Sequence, residues 1–195
     1  MDRRLIGLTG GIATGKSTVA AYLHDRHNIP VLDADLYARD AVAPNSPILT
    51  AIANRYGPDI LQKDGRLNRG ALGEIIFNDN TEKAWVEAQI HPYVKQGFQR
   101  ALAELLTAPI IVLMIPLLFE AQLTDWVTEI WVVACDPDTQ LTRLMARNGF
   151  TKPQALARIA SQMPLAAKIN QADVVLTNDQ DRGSLHLQVD HALRK

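Results

Sequence analysis

Four residues at fixed spacing, Gly10, Gly15, Lys16 and Ser17, complete the pattern G-x-x-x-x-G-K-[ST], which shapes a loop for phosphate groups. Consecutive backbone N–H groups in such a loop point inward at an anion, and the helix that follows adds roughly half a positive charge at its start. The stretch Gly10, Gly11, Ile12, Ala13, Thr14, Gly15, Lys16, Ser17, Thr18 is therefore expected to hold a nucleoside triphosphate. Lys16 would act as a point charge on the β- and γ-phosphates, and the Ser17 hydroxyl would reach a Mg²⁺ ion bridging them. Downstream, the apolar run from Ile29 to Leu32 ends in Asp33-Ala34-Asp35. Alternation along a strand sends both carboxylates to one side. There Asp33 could hold the metal, directly or through water, and Asp35 could orient an acceptor hydroxyl and take its proton. A cap on a helix beginning near Leu36 accounts for the same residues without excluding that chemistry. Arg143 and Arg147 lie four apart, on one face of an expected helix. They could close over the donor, one stacking near a base and one neutralising phosphate charge, or pair only with surface carboxylates.

These groups need elements that aim them at one place. Leu5 to Leu8 reads as a buried strand and Ser17 to Leu23 as the helix leaving it, the context a phosphate loop requires. Residues 29–32 predict a second buried strand. From Pro44 to Leu106 no run has the character of a buried parallel strand. Helices are expected there over 48–56, closed by Gly57, over 69–77, capped by Asn68, and from Glu82, capped by Thr81. Pro92 should divide or kink the last of these. Strands return at 110–115, 129–134 and 173–176. Helices are expected over 139–148, stopped by Gly149, from the capping-box pair Thr151 and Gln154 to near Met163, over 165–171 and over 183–193. This order predicts an α/β chain, three layers around a five-stranded parallel sheet that binds nucleotides at its strand tips. Residues 44–106 read as a helical substrate lobe inserted in one domain.

At 195 residues with 20 basic and 21 acidic side chains, the chain has a net charge of −1. That balance argues against a nucleic-acid or membrane-surface partner. The single cysteine, Cys135, lies in an apolar run, which suits a buried thiol in a reducing compartment rather than a nucleophile. The apolar stretch 108–119 contains two prolines and is too short to span a bilayer. Met1 to Arg4 lead directly into the first strand, so a cytoplasmic protein without a targeting segment is expected. The oligomeric state stays open.

The loop specifies a ligand, not a reaction. A GTPase-type switch needs D-x-x-G and N-K-x-D, and neither occurs. A nucleic-acid motor needs a longer chain and a basic groove. A small-molecule kinase plan remains, and here the residues carry a more specific likeness. Thr9-Gly10-Gly11-Ile12 leading to Gly15-Lys16-Ser17, Asp33-Ala34-Asp35 with Ala38-Arg39, His91-Pro92 and Pro116-Leu117-Leu118-Phe119-Glu120 follow one another in order. Arg143 with Arg147, Arg158 with Gln162, and Ala172-Asp173 before Asn178 complete the series. Together they resemble the dephospho-coenzyme A kinase family of P-loop small-molecule kinases.

The resemblance implies ATP-dependent phosphorylation of the ribose 3′-hydroxyl of dephospho-coenzyme A, the last step of coenzyme A biosynthesis, with ATP and Mg²⁺. It implies a P-loop NTPase fold, one kinase domain over 1–195, with a coenzyme A lobe at 44–106 and a lid at 140–172. Lys16, Asp35 and Arg143 would be catalytic, and Ser17 and Asp33 would hold the metal. The loop from Gly10 to Thr18, Arg143, Arg147 and Asn178 would bind nucleotide. Thr9, Asp33, Asp35, Arg39, Arg69, His91, Pro116 and Leu117 would bind substrate, with Arg39 and Arg69 on the acceptor's phosphates. The residues by themselves leave open another small-molecule kinase, of nucleoside monophosphate or shikimate type, or a non-catalytic ATP-binding module. One departure stands in the loop, where Ala13-Thr14 replaces a common Gly-Ser. An alanine there implies a backbone region open to L-residues, with no loss of phosphate binding.

Overall fold

The computed structural model describes residues 3–194. Five strands, β1 (Arg4–Gly10), β2 (Val31–Asp33), β3 (Ile110–Met114), β4 (Glu129–Ala134) and β5 (Val174–Thr177), form a parallel sheet in the order β2-β3-β1-β4-β5. The helices are α1 (Lys16–His27), α2 (Ala34–Ala41), α3 (Pro47–Tyr56), α4 (Arg69–Asn78), α5 (Asn80–Glu104), α6 (Pro137–Asn148), α7 (Lys152–Ala160), α8 (Leu165–Ile169) and α9 (Arg182–Leu193). The α/β class and the five parallel strands are as the sequence predicts. The chain divides into two compact units, one formed by residues up to 33 and from 107 onward, the other by 34–106.

In the first unit the apolar runs become central strands because both of their faces are covered. Ile6, Leu8, Val112, Trp131 and Val133 are buried with Val19 and Leu23 of α1 and with Leu185 and Val189 of α9. Each such side chain contributes about 1.5–3 kcal/mol of hydrophobic stabilisation. The pairings set Asp33 and Leu8 beside Met114, Gly10 beside Val133, and Ala134 beside Thr177. All five strands therefore end along one edge of the sheet. The chain winds to one side of β1 for β2 and β3 and to the other for β4 and β5. That reversal at β1 makes a crevice, and the loop leaving β1 is the phosphate loop.

Two expectations about the second strand are corrected. β2 pairs only with β3, so it is an edge strand, and its three residues are half-buried rather than buried. It also stops at Asp33, and α2 starts at Ala34. Asp35 thus sits in the first turn of a helix, where a carboxylate is favoured by the helix dipole, and strand alternation does not govern it.

In the second unit Val42, Leu49, Ile52, Ile60, Leu67, Leu72 and Val86 form a separate core. Ser46 and Asn68 cap α3 and α4 through their side chains. The cap of α5 is Asp79, which accepts from Thr81 and Glu82 N–H, not the expected Thr81. The helix then runs unbroken past Pro92. Pro92 removes the N–H that the Ala88 carbonyl would accept, but both residues are exposed, so water can take that place. Gly97 lets α2 lie against α5, because a Cβ there would come within 2.5 Å of the Tyr37 ring.

Candidate active site

Gly15 ends the loop as the N-cap of α1 with φ 107. A side chain there would be strained in the backbone and would also run into the Asn178 amide. Helices α3, α4, α5, α6 and α9 begin under side-chain caps from Ser46, Asn68, Asp79, Asp136 and Asp181. α1 has no side-chain cap and no acidic residue in its first turn. No side chain therefore competes with an incoming anion at the start of this helix. Lys16 folds over the loop, its Nζ donating to the carbonyls of Gly10 (3.1 Å) and Gly11 (2.7 Å). Ser17 is exposed beside it.

Ala13 overturns one expectation. Its φ is +61°, in the left-handed region and not the one L-residues favour. Inward-pointing N–H groups require alternation of right- and left-handed residues. The loop imposes that geometry whatever the side chain, at a cost of about 1–2 kcal/mol for a non-glycine residue.

The loop's shape is held from outside. The Asn178 amide donates to the Thr14 carbonyl (2.8 Å), and the Thr14 hydroxyl donates to the Gly11 carbonyl (2.9 Å). Gln140 of α6 donates to the Ile12 carbonyl (2.8 Å), and Gln162, just past α7, accepts from the Ile12 N–H (2.9 Å). Asn178, expected as a nucleotide contact, thus spends its side chain on the loop. Sequence reasoning missed Gln140. Its one signal is its place a turn ahead of Arg143.

Arg143 is half-buried and donates to the Asn178 carbonyl (2.9 Å). It lines a cavity of about 330 Å³ with Ala13, Gly15, Thr18, Asn178 and Gln180. Arg147 is not part of that cavity. It is exposed and donates to the neighbouring Asn148. Cys135 is buried, and burial pushes its thiol above the ordinary range while Arg143 opposes the shift. A protonated, enclosed thiol is a core group, as expected.

On the other side of β1, Thr9 is fully buried and its hydroxyl donates to the Pro116 carbonyl (3.1 Å). Its side chain ties β1 to the turn after β3. Lys168 of α8 donates to the same carbonyl (3.3 Å) and pairs with Glu120 (2.8 Å). The Glu120 carboxylate also accepts from the Met163 N–H (2.9 Å). Burial pushes the Glu120 carboxyl up, but Lys168 and the backbone N–H groups outweigh it and hold the group below its usual range. Pro116 and Leu117 are half-buried.

Asp33 is half-buried at the tip of β2, on the sheet edge that also carries the phosphate loop. Among the described residues no three His, Cys, Asp or Glu side chains gather into a metal-binding group. Ser17 and Asp33 are hard oxygen donors, and Mg²⁺ is typically held by one or two protein oxygens plus phosphate and water, so they suit that ion. In the second unit, Asp35 is exposed in the first turn of α2, and Arg39 and Arg69 line one cavity. His91 is exposed in the middle of α5.

The chain resembles known proteins over its whole length. The family model for dephospho-CoA kinase matches residues 4–183. The dephospho-CoA kinase of a Synechocystis species is 62% identical over 187 residues, 96% of this chain and 93% of the relative. A solved structure from Thermus thermophilus superposes with a TM-score of 0.87 at 34% identity, covering 100% of this chain and 98% of that one. Shikimate kinase from Bacteroides thetaiotaomicron, at 16% identity, TM-score 0.55 and coverage of 98% and 96%, shares the fold. A match this long at this identity leaves one assignment: the chain belongs to the dephospho-CoA kinase family.

Proposed function

We propose that the protein transfers the terminal phosphoryl group of ATP to the ribose 3′-hydroxyl of dephospho-coenzyme A. The observation that carries the donor half is the uncapped start of α1, enclosed by a glycine-conditioned loop with Lys16 at its mouth. Family membership supports the acceptor half. Phosphoryl transfer passes through a loose transition state, so catalysis rests on positioning and charge neutralisation. In this reading the backbone from Gly10 to Thr18 and the Lys16 ammonium hold the donor phosphates. Arg143 lies over the donor. Asp35 orients the acceptor hydroxyl and takes its proton. Arg39 and Arg69 bind the acceptor's phosphates. Mg²⁺ held by Ser17 and Asp33 would neutralise charge on the β- and γ-oxygens. Residues 44–106 serve as the acceptor lobe and 140–172 as a lid, within one kinase domain. No described helix is long and apolar enough to cross a membrane, which supports our reading of a cytoplasmic enzyme.

A panel of acceptors tests this, with ADP release measured for dephospho-coenzyme A, nucleoside monophosphates and shikimate. Turnover with dephospho-coenzyme A alone, abolished in Lys16→Ala, is expected. Turnover only with another acceptor, or ADP release that needs none, contradicts the reading.

A further inference from the structure

Past the end of β1, two residues of the phosphate loop have a positive φ, Ala13 (61°) and Gly15 (107°). The carbonyl just before each is held by a side-chain amide from beyond another strand tip. Gln140 donates to the Ile12 carbonyl (2.8 Å) and Asn178 to the Thr14 carbonyl (2.8 Å). The sheet places both amides. α6 starts beyond the tip of β4 under its Asp136 cap, and Asn178 follows β5 with its N–H on the Ala134 carbonyl (2.8 Å). Gln140 is 5% exposed, and only its Nε2 can give a hydrogen to a carbonyl, which fixes the orientation of its amide. A trans peptide is planar, with its C=O and N–H on opposite edges. An Ile12 carbonyl held toward α6 therefore turns the Ala13 N–H the other way, into the loop, and sets the φ of Ala13. The same reasoning places the Gly15 N–H. The two positions differ in need. Glycine takes a positive φ as readily as a negative one, whereas an unrestrained alanine turns its peptide over to leave the left-handed region.

We propose that Gln140 is a positioning residue for the donor: its amide holds the Ile12–Ala13 peptide in the anion-binding orientation before nucleotide arrives, and the alanine at 13 makes that hold necessary. Gln162 has a different part. It accepts from the Ile12 N–H (2.9 Å), which belongs to the preceding peptide and does not set the φ of Ala13. The proposal rests on the donor half of the function given above and adds which group keeps the loop in its binding shape.

The test is calorimetric titration with a non-hydrolysable ATP analogue on a cycle of variants. Gln140→Met keeps the length and volume of the side chain and removes the donor. It should raise the dissociation constant about 5- to 30-fold, the cost of one left-handed alanine written as a ratio. In an Ala13→Gly background the same substitution should weaken binding less than about threefold, because glycine needs no hold. Gln162→Met should weaken binding by the same factor in both backgrounds. In steady-state kinetics the KM for ATP should rise with the dissociation constant, while the KM for dephospho-coenzyme A stays within about twofold. A Gln140→Met loss of equal size with and without Ala13→Gly overturns the proposal. A rescue that extends equally to Gln162→Met shows general loosening of the loop and overturns it too. A second measurement needs no variant: in the nucleotide-free wild type, NMR scalar couplings at Ala13 should report a positive φ, and a negative φ overturns the proposal. Wild type that binds no analogue contradicts the donor reading and the proposal together, whereas binding without the predicted coupling contradicts the proposal alone.

Discussion

Replacing Glu120 by Gln should destabilise the protein more than removing its partner, and a second substitution should then restore stability. The Lys168 side chain is 0% exposed, while that of Glu120 is 23% exposed. Glu120→Gln keeps the shape and an acceptor oxygen but leaves a fully enclosed ammonium with only neutral oxygens, the amide and the Pro116 carbonyl at 3.3 Å, and no counter-charge. Breaking a buried pair from one side costs about 3–5 kcal/mol. The retained amide oxygen and partial exposure place this case lower, at about 2–3 kcal/mol. For a chain of this size that is a fall in Tm of about 4–12 °C. Lys168→Met fills similar volume and strands a carboxylate that keeps both water and the Met163 N–H, so it should cost only about 1–2 kcal/mol. The double variant contains no stranded charge and should melt above Glu120→Gln. Protonation has the same sign. The Glu120 carboxyl is held below its usual value, so its contribution is complete above about pH 4.3 and is lost as pH falls through the folded value. Thermal and urea denaturation by circular dichroism, on both single variants and the double, measures all of this. Additive losses, or equal losses from the two single variants, would refute the reasoning.

Three further outcomes follow from the site and its surroundings. Asp35→Asn should lower kcat by at least about 10²-fold with little change in ATP affinity, and wild-type turnover would remove Asp35 from the chemistry. Ala13→Gly relieves a left-handed alanine at φ +61°. Against the greater unfolded entropy of glycine it should add roughly 0.5–1 kcal/mol of stability, and a Tm below wild type would contradict the strain. The Glu82 carboxyl, hydrogen-bonded by Arg55 and then Tyr56, is lowered from 4.5 to about 2. Because its folded value is depressed, its contribution is present above about pH 4.5 and fades towards pH 2. A carboxyl NMR titration with a midpoint near 4.5 would contradict that assignment.

The parts of the fold legible in the sequence were those with local causes. The apolar runs at Ile110 and Glu129, the cap at Asn68 and the stops at Gly57 and Gly149 each act within a few residues, and each element lies where expected. What escaped depended on tertiary context. Residues 29–32 looked like a central strand, but position in the sheet decides burial, and the edge leaves them half-covered. Alternation placed Asp35 on the strand, while the cap reading of the same stretch put a helix near Leu36; the helix starts at Ala34, two residues earlier than that reading set it. Pro92 normally breaks a helix, yet exposure of the freed carbonyl's residue lets α5 continue. Within the candidate site, the phosphate loop was legible as a motif, whereas the groups that shape it were not. Gln140 comes from a helix 128 residues downstream of the Ile12 carbonyl it holds, and its type signals nothing until the fold brings it there. Spacing puts Arg143 and Arg147 on one helix face, but only Arg143 lines the cavity beside the loop, because a shared face does not mean a shared cavity.

The central claim is the transfer of phosphate to one particular hydroxyl, and the most direct measurement is phosphorus-to-proton correlation NMR of the product formed from ATP and dephospho-coenzyme A. A new phosphomonoester coupled to the ribose H3′ is predicted, with an equal amount of ADP. Coupling to H2′, or ADP formed without any new phosphomonoester, would contradict the account.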